Sequence, residues 1–483
     1  MLALLLPADH ELFAVAPMMA HTNRHWHSFF RLLSRRAHLY TEMVPASQLV
    51  AASRMVDEAD FRRAFEPHDA QTEYVLQLGG HDRDTLAEAA RLGVQLGYRT
   101  INLNCGCPSV AVSGGARGGG AALMREPAHV ADCCTAMLEA MSLGTPSPTA
   151  LTVKHRLGVA DAATFDAAAD RAAGDGPAFE SASKFINAIA ATGVSRLQVH
   201  ARLALLGEFG NNAAAGLDKA PQLWVPGAED NSAQEKVDHS REQHKAKLRA
   251  RKATIANRNV PPLRHSVVRA IAAAYPELQA TAKPSHTAYT HLPPLAVDHR
   301  HLVPSSFASC QIVANGELNS LAAVRDERVL HGVHGGMVGR SVINHPCAFA
   351  AADSLWGETI RHPLTRGEVL ECYATYCDSV EEEAAAAPSL LTPPSAKLQS
   401  ELVAPVFNLF AGVPGSERYQ RRLRAIYKRA KGWRFASSLL RVAAAELPAE
   451  ALDMVVTDAV PVSELVTYER ATRVAGPLQR HIH

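Results

Sequence analysis

Through roughly the first 350 residues, short apolar runs rich in β-branched side chains alternate with longer stretches of helical periodicity. This alternation is typical of a parallel α/β fold, in which helices connect neighbouring strands. Stretches such as DTLAEAARLGVQLGY and AHVADCCTAMLEAM provide the connecting helices. Eight runs are predicted as strands, the number that closes a (β/α)8 TIM barrel. They cover residues 13–18, 39–44, 75–80, 101–106, 151–158, 196–202, 311–316 and 335–340.

Polar or conformationally special residues stand at the carboxyl end of nearly every predicted strand. Parallel barrels bring these ends together at one rim, where their reactive groups lie. Amide, ammonium, imidazole and guanidinium groups at one rim indicate a polar, anionic cofactor across the barrel mouth. Gly339 and Arg340 follow the eighth strand, where barrels bind phosphate. The set is Pro17, Gln77, Asn104, Cys107, Lys154, His200, Arg202, Asn315, Gly316, Gly339 and Arg340.

Cys107 follows the fourth predicted strand in the string INLNCGCPS. Gly106 and Pro108 bend the chain there, so the turn presents one thiol at the strand end. A thiol with a pKa near the reference value of about 8.5 is mostly protonated at neutral pH and can donate a proton. A cysteine in such a place is more commonly a small apolar residue, which is what we predict for Cys105. We predict that the chemistry of the site lies at Cys107.

The pattern beyond the barrel is helical. We predict a barrel domain over residues 1–355 with inserts at about 207–254 and 279–307, a helical domain over 362–447, and a tail over 448–483. Residues 417–434, ERYQRRLRAIYKRAKGWR, carry eight Lys or Arg against one acid. Such a run is ordinarily a solvated helix face, but the interleaved Tyr419, Tyr427 and Trp433 also suit RNA binding with base stacking.

Composition excludes several classes of protein. The 483 residues have a formal net charge of +1, so acidic partners must be bound by local patches. The eight cysteines form neither a disulfide framework nor paired zinc knuckles, and we predict no metal site. We identify no membrane span, and we predict a basic helix over 24–38 rather than a transit peptide. We expect a cytoplasmic protein, with an organelle left open. Residues 113–124, which lack a P-loop lysine, are predicted as a flexible active-site loop.

The chain resembles the tRNA-dihydrouridine synthases, and among them the branch that acts on D-loop positions 20 and 20a. The strings that carry the resemblance are VAPM, LYTEMV, LQLGG, INLNCGCPS, TVKHRLG, HAR, NG and GMVGR, followed by PVFNLFAGVPGSERYQRRL. They occur in the family's order over about residues 13 to 435.

The resemblance implies an enzyme that reduces the C5=C6 bond of uridine in tRNA. FMN would supply hydride to C6, Cys107 would protonate C5, and NADPH would re-reduce the flavin. The implied cofactor ligands are Pro17, Met18 and Met19 beside the isoalloxazine, Gln77 and Lys154 at its polar atoms, and His200, Asn315, Gly316, Glu317, Gly339 and Arg340 at the ring and phosphate. The implied tRNA contacts are Asn104, at the flipped uridine, with Arg258, Arg418 and Arg421. We expect a monomer.

The chain departs from the family pattern at several positions. The insert at 207–254 enters an active-site loop, Ile255 stands where a lysine is usual, and the aspartate and arginine usual after GCPS are missing. Glu317 replaces a glycine, so its carboxylate must point away from the flavin phosphate or weaken its binding. Two alternative functions remain open: a related flavin barrel that reduces free pyrimidines or enones, and a descendant that binds RNA without catalysis.

Overall fold

The computed structural model describes residues 10–67, 73–109, 112, 118–143, 149–207, 261–275, 310–358, 363–388, 391, 395–428 and 435–457. These ranges contain the following strands, numbered in chain order: β1 (Phe13–Val15), β2 (His38–Tyr40), β3 (Val44–Pro45), β4 (Tyr74–Gly79), β5 (Thr100–Cys105), β6 (Ala150–Arg156), β7 (Val159–Asp161), β8 (Arg196–His200), β9 (Ala204–Leu206), β10 (Gln311–Asn315) and β11 (Gly335–Val338).

Eight of these strands form a closed ring in which every pairing is parallel. The order around the ring is β1, β2, β4, β5, β6, β8, β10 and β11, and β11 returns to β1 with Phe13 opposite Gly336. The short strand β3 pairs in parallel with the last residues of β4, and β7 pairs with β9 in a separate two-stranded sheet. Each ring strand overlaps one of the predicted strands. The predicted (β/α)8 barrel is therefore confirmed.

Helices surround the ring and continue after it. They are α1 (Arg24–Arg31), α2 (Ala46–Met55), α3 (Glu58–Phe65), α4 (Arg83–Gln95), α5 (Pro127–Ser142), α6 (Ala167–Ala173), α7 (Gly176–Ala190), α8 (His265–Ala274), α9 (Leu321–Val329), α10 (Arg340–Asn344), α11 (Arg366–Ala386), α12 (Ser395–Val403), α13 (Ser416–Lys428), α14 (Ala436–Ala444) and α15 (Ala449–Asp453). Side-chain caps fix several starts: Asp82 accepts from the Thr85 N–H at α4, and Thr365 forms a capping box with Glu368 at α11. The predicted helix over 24–38 is shorter than expected, because β2 begins at His38.

Two apolar regions hold these layers together. A small cluster fills the inside of the ring, whereas a much larger one lies between the strands and the helices and extends without a break into α11–α14. The later helices pack on α1, where the rings of Phe29 and Tyr373 lie 5.8 Å apart and His25 Nδ1 is 2.8 Å from the Tyr376 hydroxyl. This packing fixes the position of the later helices against the barrel.

The predicted domain boundaries stay predictions. Helix α15 lies past residue 447, and Val455 forms a β-bridge with Thr365. Both predicted inserts lie outside the described residues except for Gly207, which follows β9.

Candidate active site

The carboxyl ends of the ring strands bring five of the predicted site residues to one rim. Asn104 in β5 lies directly opposite Lys154 in β6, and Gln77 lies near the end of the adjacent β4. On the other side, His200 ends β8 opposite Asn315, the last residue of β10. This placement is the one that the strand pattern predicts, and the roles of the five side chains stay predictions.

The backbone turn that carries Cys107 is held by three neighbouring groups. Asn104 Oδ1 accepts hydrogen bonds from the N–H groups of Gly106 and Cys107, each at 3.0 Å. Arg156 Nε donates to the Gly106 carbonyl at 2.8 Å, and the Ala121 N–H donates to the Cys107 carbonyl at 2.8 Å. The turn therefore has little freedom to move its thiol.

A glycine is required where the following segment packs against this turn. Gly120 has a φ of +58°, and a Cβ at this position would lie 2.5 Å from the Cys107 carbonyl oxygen. A 3₁₀ helix then runs over Gly120–Arg125 with Ala121, Leu123 and Met124 buried. The predicted flexible loop at 113–124 thus ends in a packed helical turn, and residues 113–117 lie outside the described ranges.

The surroundings of Cys107 keep its thiol protonated. Burial raises the pKa of the half-buried thiol. A hydrogen bond with the Ser109 backbone and the positive charges of Arg156 and Lys154 only partly oppose that effect. A raised pKa suits a group that must carry a proton at neutral pH and donate it. Cys105, two residues earlier, is fully buried in the apolar core, as expected for a packing residue.

Positive charge is concentrated beside Cys107. Burial, and then the cations Arg156, Lys154 and Arg202, lower the pKa of His200 well below its usual value. Burial and the neighbouring Arg156 also lower the pKa of Lys154 to about 7. Among the described residues, no carboxylate forms an ion pair with Lys154. The rim therefore has room for added negative charge.

Glu317 pairs with one cation of this rim. Its backbone has a φ of +52°, and its exposed carboxylate forms an ion pair with Arg202. Its orientation relative to a flavin phosphate stays a prediction. The preceding Gly316 has a φ of +125° and accepts a hydrogen bond at its carbonyl from His265 Nε2 at 2.7 Å. A Cβ on Gly316 would lie 3.2 Å from the His200 ring.

The remaining predicted cofactor ligands meet on the opposite side of the rim. Pro17, Met18 and Met19 follow β1 and are half-buried, while Gly339 and the exposed Arg340 follow β11. The nearest heavy atom to a Cβ built on Gly339 is Met18 Sδ at 4.0 Å. The backbone at Gly339 is thus open to a bound group, next to the loop of Met18.

These residues fit a flavin mononucleotide. The rim carries Lys154, Arg156 and Arg202, and within the described part of the chain only Arg202 is paired with an exposed carboxylate. These donors match the acceptor atoms of the ring and the charge of the phosphate. The amide of Gln77 accepts from Asn104 and donates to Asn102, which leaves one N–H for a ligand. The fit rests on the positive charge of the rim and on the uncovered backbone at Gly339.

The low pKa of Lys154 predicts how flavin affinity changes with pH. In the flavin-free protein Lys154 loses its proton near pH 7. Hydrogen bonds from its ammonium group to the acceptor atoms of a bound flavin ring favour the charged form, so binding takes up a proton at higher pH. We expect the affinity for FMN to fall by up to about tenfold per unit between about pH 7 and about pH 9. Lys154→Arg should remove this slope because arginine stays charged.

The measurement is FMN fluorescence quenching on titration with flavin-free protein at each pH. Lys184→Arg, at an exposed lysine on α7, is the matched control and should keep the wild-type slope. An equal slope in wild type and Lys154→Arg would show that another group is responsible.

The basic helix α13 presents exposed positive charge. Arg418 and Arg421 are exposed and three residues apart, so they lie on one side of the helix. Arg422 is also exposed but is 3.7 Å from Glu446. Arg424 lies over the Phe407 ring at 4.8 Å. Arg418 and Arg421 are thus available to a polyanion.

Tyr419 corrects the prediction of base stacking. Its side chain is fully buried against Phe410, and its hydroxyl donates to the Val406 carbonyl at 3.2 Å. A ring in this position packs α13 onto its neighbours and cannot stack on a base. The side chains of Tyr427 and Trp433, and all of Arg258, lie outside the described residues, so their predicted roles remain predictions.

Three residues that matter to the site were missed in the sequence. Arg156 holds the Gly106 carbonyl, and Asn102 and Gln198 form hydrogen bonds beneath Gln77 inside the ring. A signal was present for Asn102 and Gln198, because each is a polar residue between two apolar residues within a strand.

Two features are absent from the residues that the structure describes. These residues contain no helix long and apolar enough to cross a membrane. They also contain no group of three or more His, Cys, Asp or Glu placed to hold a metal ion.

Comparison with known proteins gives consistent matches. The sequence pattern of the dihydrouridine synthase (Dus) family matches residues 14–218. A tRNA-dihydrouridine(20/20a) synthase from Pseudomonas aeruginosa is 29% identical over 411 residues, 85% of this chain and 88% of that protein. A protein of the same name from Xanthomonas campestris is 41% identical over 199 residues, which are 41% of this chain and 51% of that protein. Another from Synechocystis sp. is 38% identical over 193 residues, 40% of this chain and 49% of that protein. The chain is thus similar to dihydrouridine synthases over most of its length.

Proposed function

We propose that this protein reduces the C5=C6 bond of uridines 20 and 20a in the tRNA D-loop, with FMN as its cofactor and NADPH as the electron donor. The observation that carries the proposal is the Cys107 turn, fixed at a barrel rim beside Lys154 and Arg156, where burial raises the pKa of the thiol. The names of the related proteins give the two tRNA positions.

FMN, when bound, supplies the hydride for C6 of the uracil. The residues of the chain do the rest. Lys154 and Gln77 hold the polar edge of the ring, and Gly339 and Arg340 hold the phosphate. Cys107 Sγ holds the proton that goes to C5. Asn104 orients the Cys107 turn through two backbone N–H groups and keeps one amide N–H for the uracil.

The link between α13 and the barrel supports a macromolecular substrate. Gln420 Nε2 in α13 donates to Asn408 Oδ1 at 3.0 Å, and Asn408 Nδ2 donates to the Ile343 carbonyl at 3.0 Å. Ile343 lies in α10, the short helix that follows the proposed phosphate site. The exposed Arg418 and Arg421 are thus carried by a helix tied to the cofactor rim, which a reductase of free pyrimidines would not need.

NADPH is proposed to visit the flavin site transiently rather than to occupy a nucleotide-binding domain of its own. The reason is that we identify no GxGxxG motif in a βαβ unit of the sequence. A monomer and a cytoplasmic location are part of the same proposal.

The test is to incubate unmodified tRNA transcripts with the FMN-loaded protein and NADPH and to map dihydrouridine by position. We expect it at 20 or 20a, with no reduction of free uridine. Dihydrouridine only at 16, 17 or 47 would contradict the proposed positions, and reduction of free uridine in place of tRNA would favour the alternative reductase. A colourless protein that cannot be loaded with FMN would contradict the enzyme itself.

A further inference from the structure

A line of polar side chains runs through the middle of the barrel, where the neighbouring interior residues are apolar. Ala14, Val75, Val313 and Met337 belong to the small cluster that fills the ring. Among them lie five polar side chains, each less than a tenth exposed: Glu11, Gln198, Asn102, Gln77 and Asn104. Burying so many polar groups is costly unless each is hydrogen-bonded. Their hydrogen bonds form one continuous chain.

The lower end of the chain is a carboxylate surrounded by donors. Glu11 accepts from the Tyr40 hydroxyl at 2.9 Å, from Arg196 Nη1 at 3.1 Å and from Gln198 Nε2 at 3.1 Å. These three partners use the Glu11 oxygens as acceptors, and Arg196 compensates the buried charge. Burial raises the pKa of Glu11, and Arg196, Tyr40 and Gln198 oppose that effect. A carboxylate held by these donors can only accept, so Gln198 turns its NH₂ towards Glu11.

The direction of every bond above Glu11 follows from this end. Gln198 Oε1 accepts from Asn102 Nδ2 at 3.0 Å, and Asn102 Oδ1 accepts from Gln77 Nε2 at 2.8 Å. Gln77 Oε1 then accepts from Asn104 Nδ2 at 3.2 Å.

The upper end of the chain fixes the same direction. Asn104 Oδ1 accepts from the backbone N–H groups of Gly106 and Cys107, which can only donate. If any one amide were rotated by half a turn, it would set N–H against N–H on one side and oxygen against oxygen on the other.

We propose that Glu11, Gln198 and Asn102 form a buried relay that positions Gln77 and Asn104 beneath the reacting groups. Glu11 touches neither the proposed flavin nor the uracil, and it acts through the four amides. The relay decides which atom of Gln77 is offered to the flavin and keeps Asn104 Oδ1 on the Cys107 turn. The inference deepens the proposed function and rests on it for the role of Cys107.

The test breaks the relay without removing either end. Asn102→Leu deletes the amide that joins Gln198 to Gln77 and keeps the same branched set of side-chain heavy atoms. Gln198→Met deletes the amide that joins Glu11 to Asn102 and leaves Glu11 paired with Arg196. Thr152→Val is the matched control. Its hydroxyl accepts from Asn102 Nδ2 at 2.8 Å on a side branch, at the same depth in the adjacent strand.

For Asn102→Leu and Gln198→Met we expect kcat on tRNA to fall by about tenfold or more, with KM for tRNA unchanged and the absorption bands of bound FMN shifted. For Thr152→Val we expect kcat within about twofold of wild type and an unshifted spectrum. Wild-type kcat and spectrum in both relay variants would overturn the relay, as would an equal loss in Thr152→Val. If Asn102→Leu does not fold, Gln198→Met decides.

A second readout needs neither flavin nor RNA. Iodoacetamide labelling of the flavin-free protein, followed by mass spectrometry of the Cys107 peptide, reports the position of the thiol. We expect its rate to change by at least about threefold in the relay variants, while the exposed Cys372 on α11 is labelled at its wild-type rate. If wild-type protein fails to reduce tRNA, the proposed function fails, and this labelling still tests the relay. An unchanged Cys107 rate would remove the link to the turn.

Discussion

Replacing Cys107 by alanine is expected to lower the rate of uridine reduction by at least about a hundredfold while FMN stays bound. The reason is that hydride addition at C6 leaves a charge at C5 that only a positioned proton can quench. Burial keeps the pKa of this thiol raised, so the group holds its proton at neutral pH. Cys107→Ser should fail similarly, because a hydroxyl is a far weaker acid than a thiol. The measurement is the single-turnover oxidation of reduced flavin by excess tRNA.

Cys105→Ala is the matched control for this experiment. Cys105 is a fully buried cysteine two residues earlier on β5, and its loss should lower stability while turnover stays near that of wild type. Flavin absorbance shows whether each variant still holds its cofactor. Wild-type turnover in Cys107→Ala, with flavin bound, would remove Cys107 as the acid.

The barrel could be predicted from the sequence because its strands are short apolar runs with sharp ends. Each of the eight runs became a ring strand, and the site side chains followed from one rule, that parallel strands end at a common rim. The positions of Asn104 and Lys154, side by side in register, needed no more than that rule.

Base stacking by Tyr419 was predicted from the charge of α13, whereas the spacing of its apolar residues decides which side chains are buried. Tyr419 and Leu423 are four residues apart and both are buried, while Arg418, Arg421 and Arg422 face outwards. This is the ordinary arrangement of an amphipathic helix. Counting apolar positions at helical spacing would have put the ring in the core.

The buried relay could not be predicted, because its partners are far apart in sequence. Glu11 lies 185 residues from Arg196, and Asn102 lies 96 residues from Gln198. A polar residue within an apolar strand signals that a partner exists, but closure of the ring decides which one. The same holds for Glu317, whose position next to Arg202 depends on two loops meeting at the rim.

Removing Arg418 and Arg421 together is expected to weaken tRNA binding by about a hundredfold, with little change in the turnover of saturated enzyme. Each guanidinium makes a charge-assisted contact worth on the order of tenfold in affinity. Arg418→Ala/Arg421→Ala should also flatten the salt dependence, since every lost phosphate contact lowers the slope of log K against log salt by about 0.7 to 0.9. The measurement is tRNA binding by fluorescence anisotropy over a range of salt concentrations.

Arg422→Ala is the control that separates a phosphate contact from a general loss of charge. Arg422 lies on the same helix and is equally exposed, but its guanidinium is already beside Glu446. Its removal takes away one positive charge yet should change affinity by less than about threefold. If Arg422→Ala weakens binding as much as Arg418→Ala or Arg421→Ala does, α13 attracts tRNA only through its net charge. If the double variant binds as tightly as wild type at every salt concentration, the RNA surface lies elsewhere on the protein.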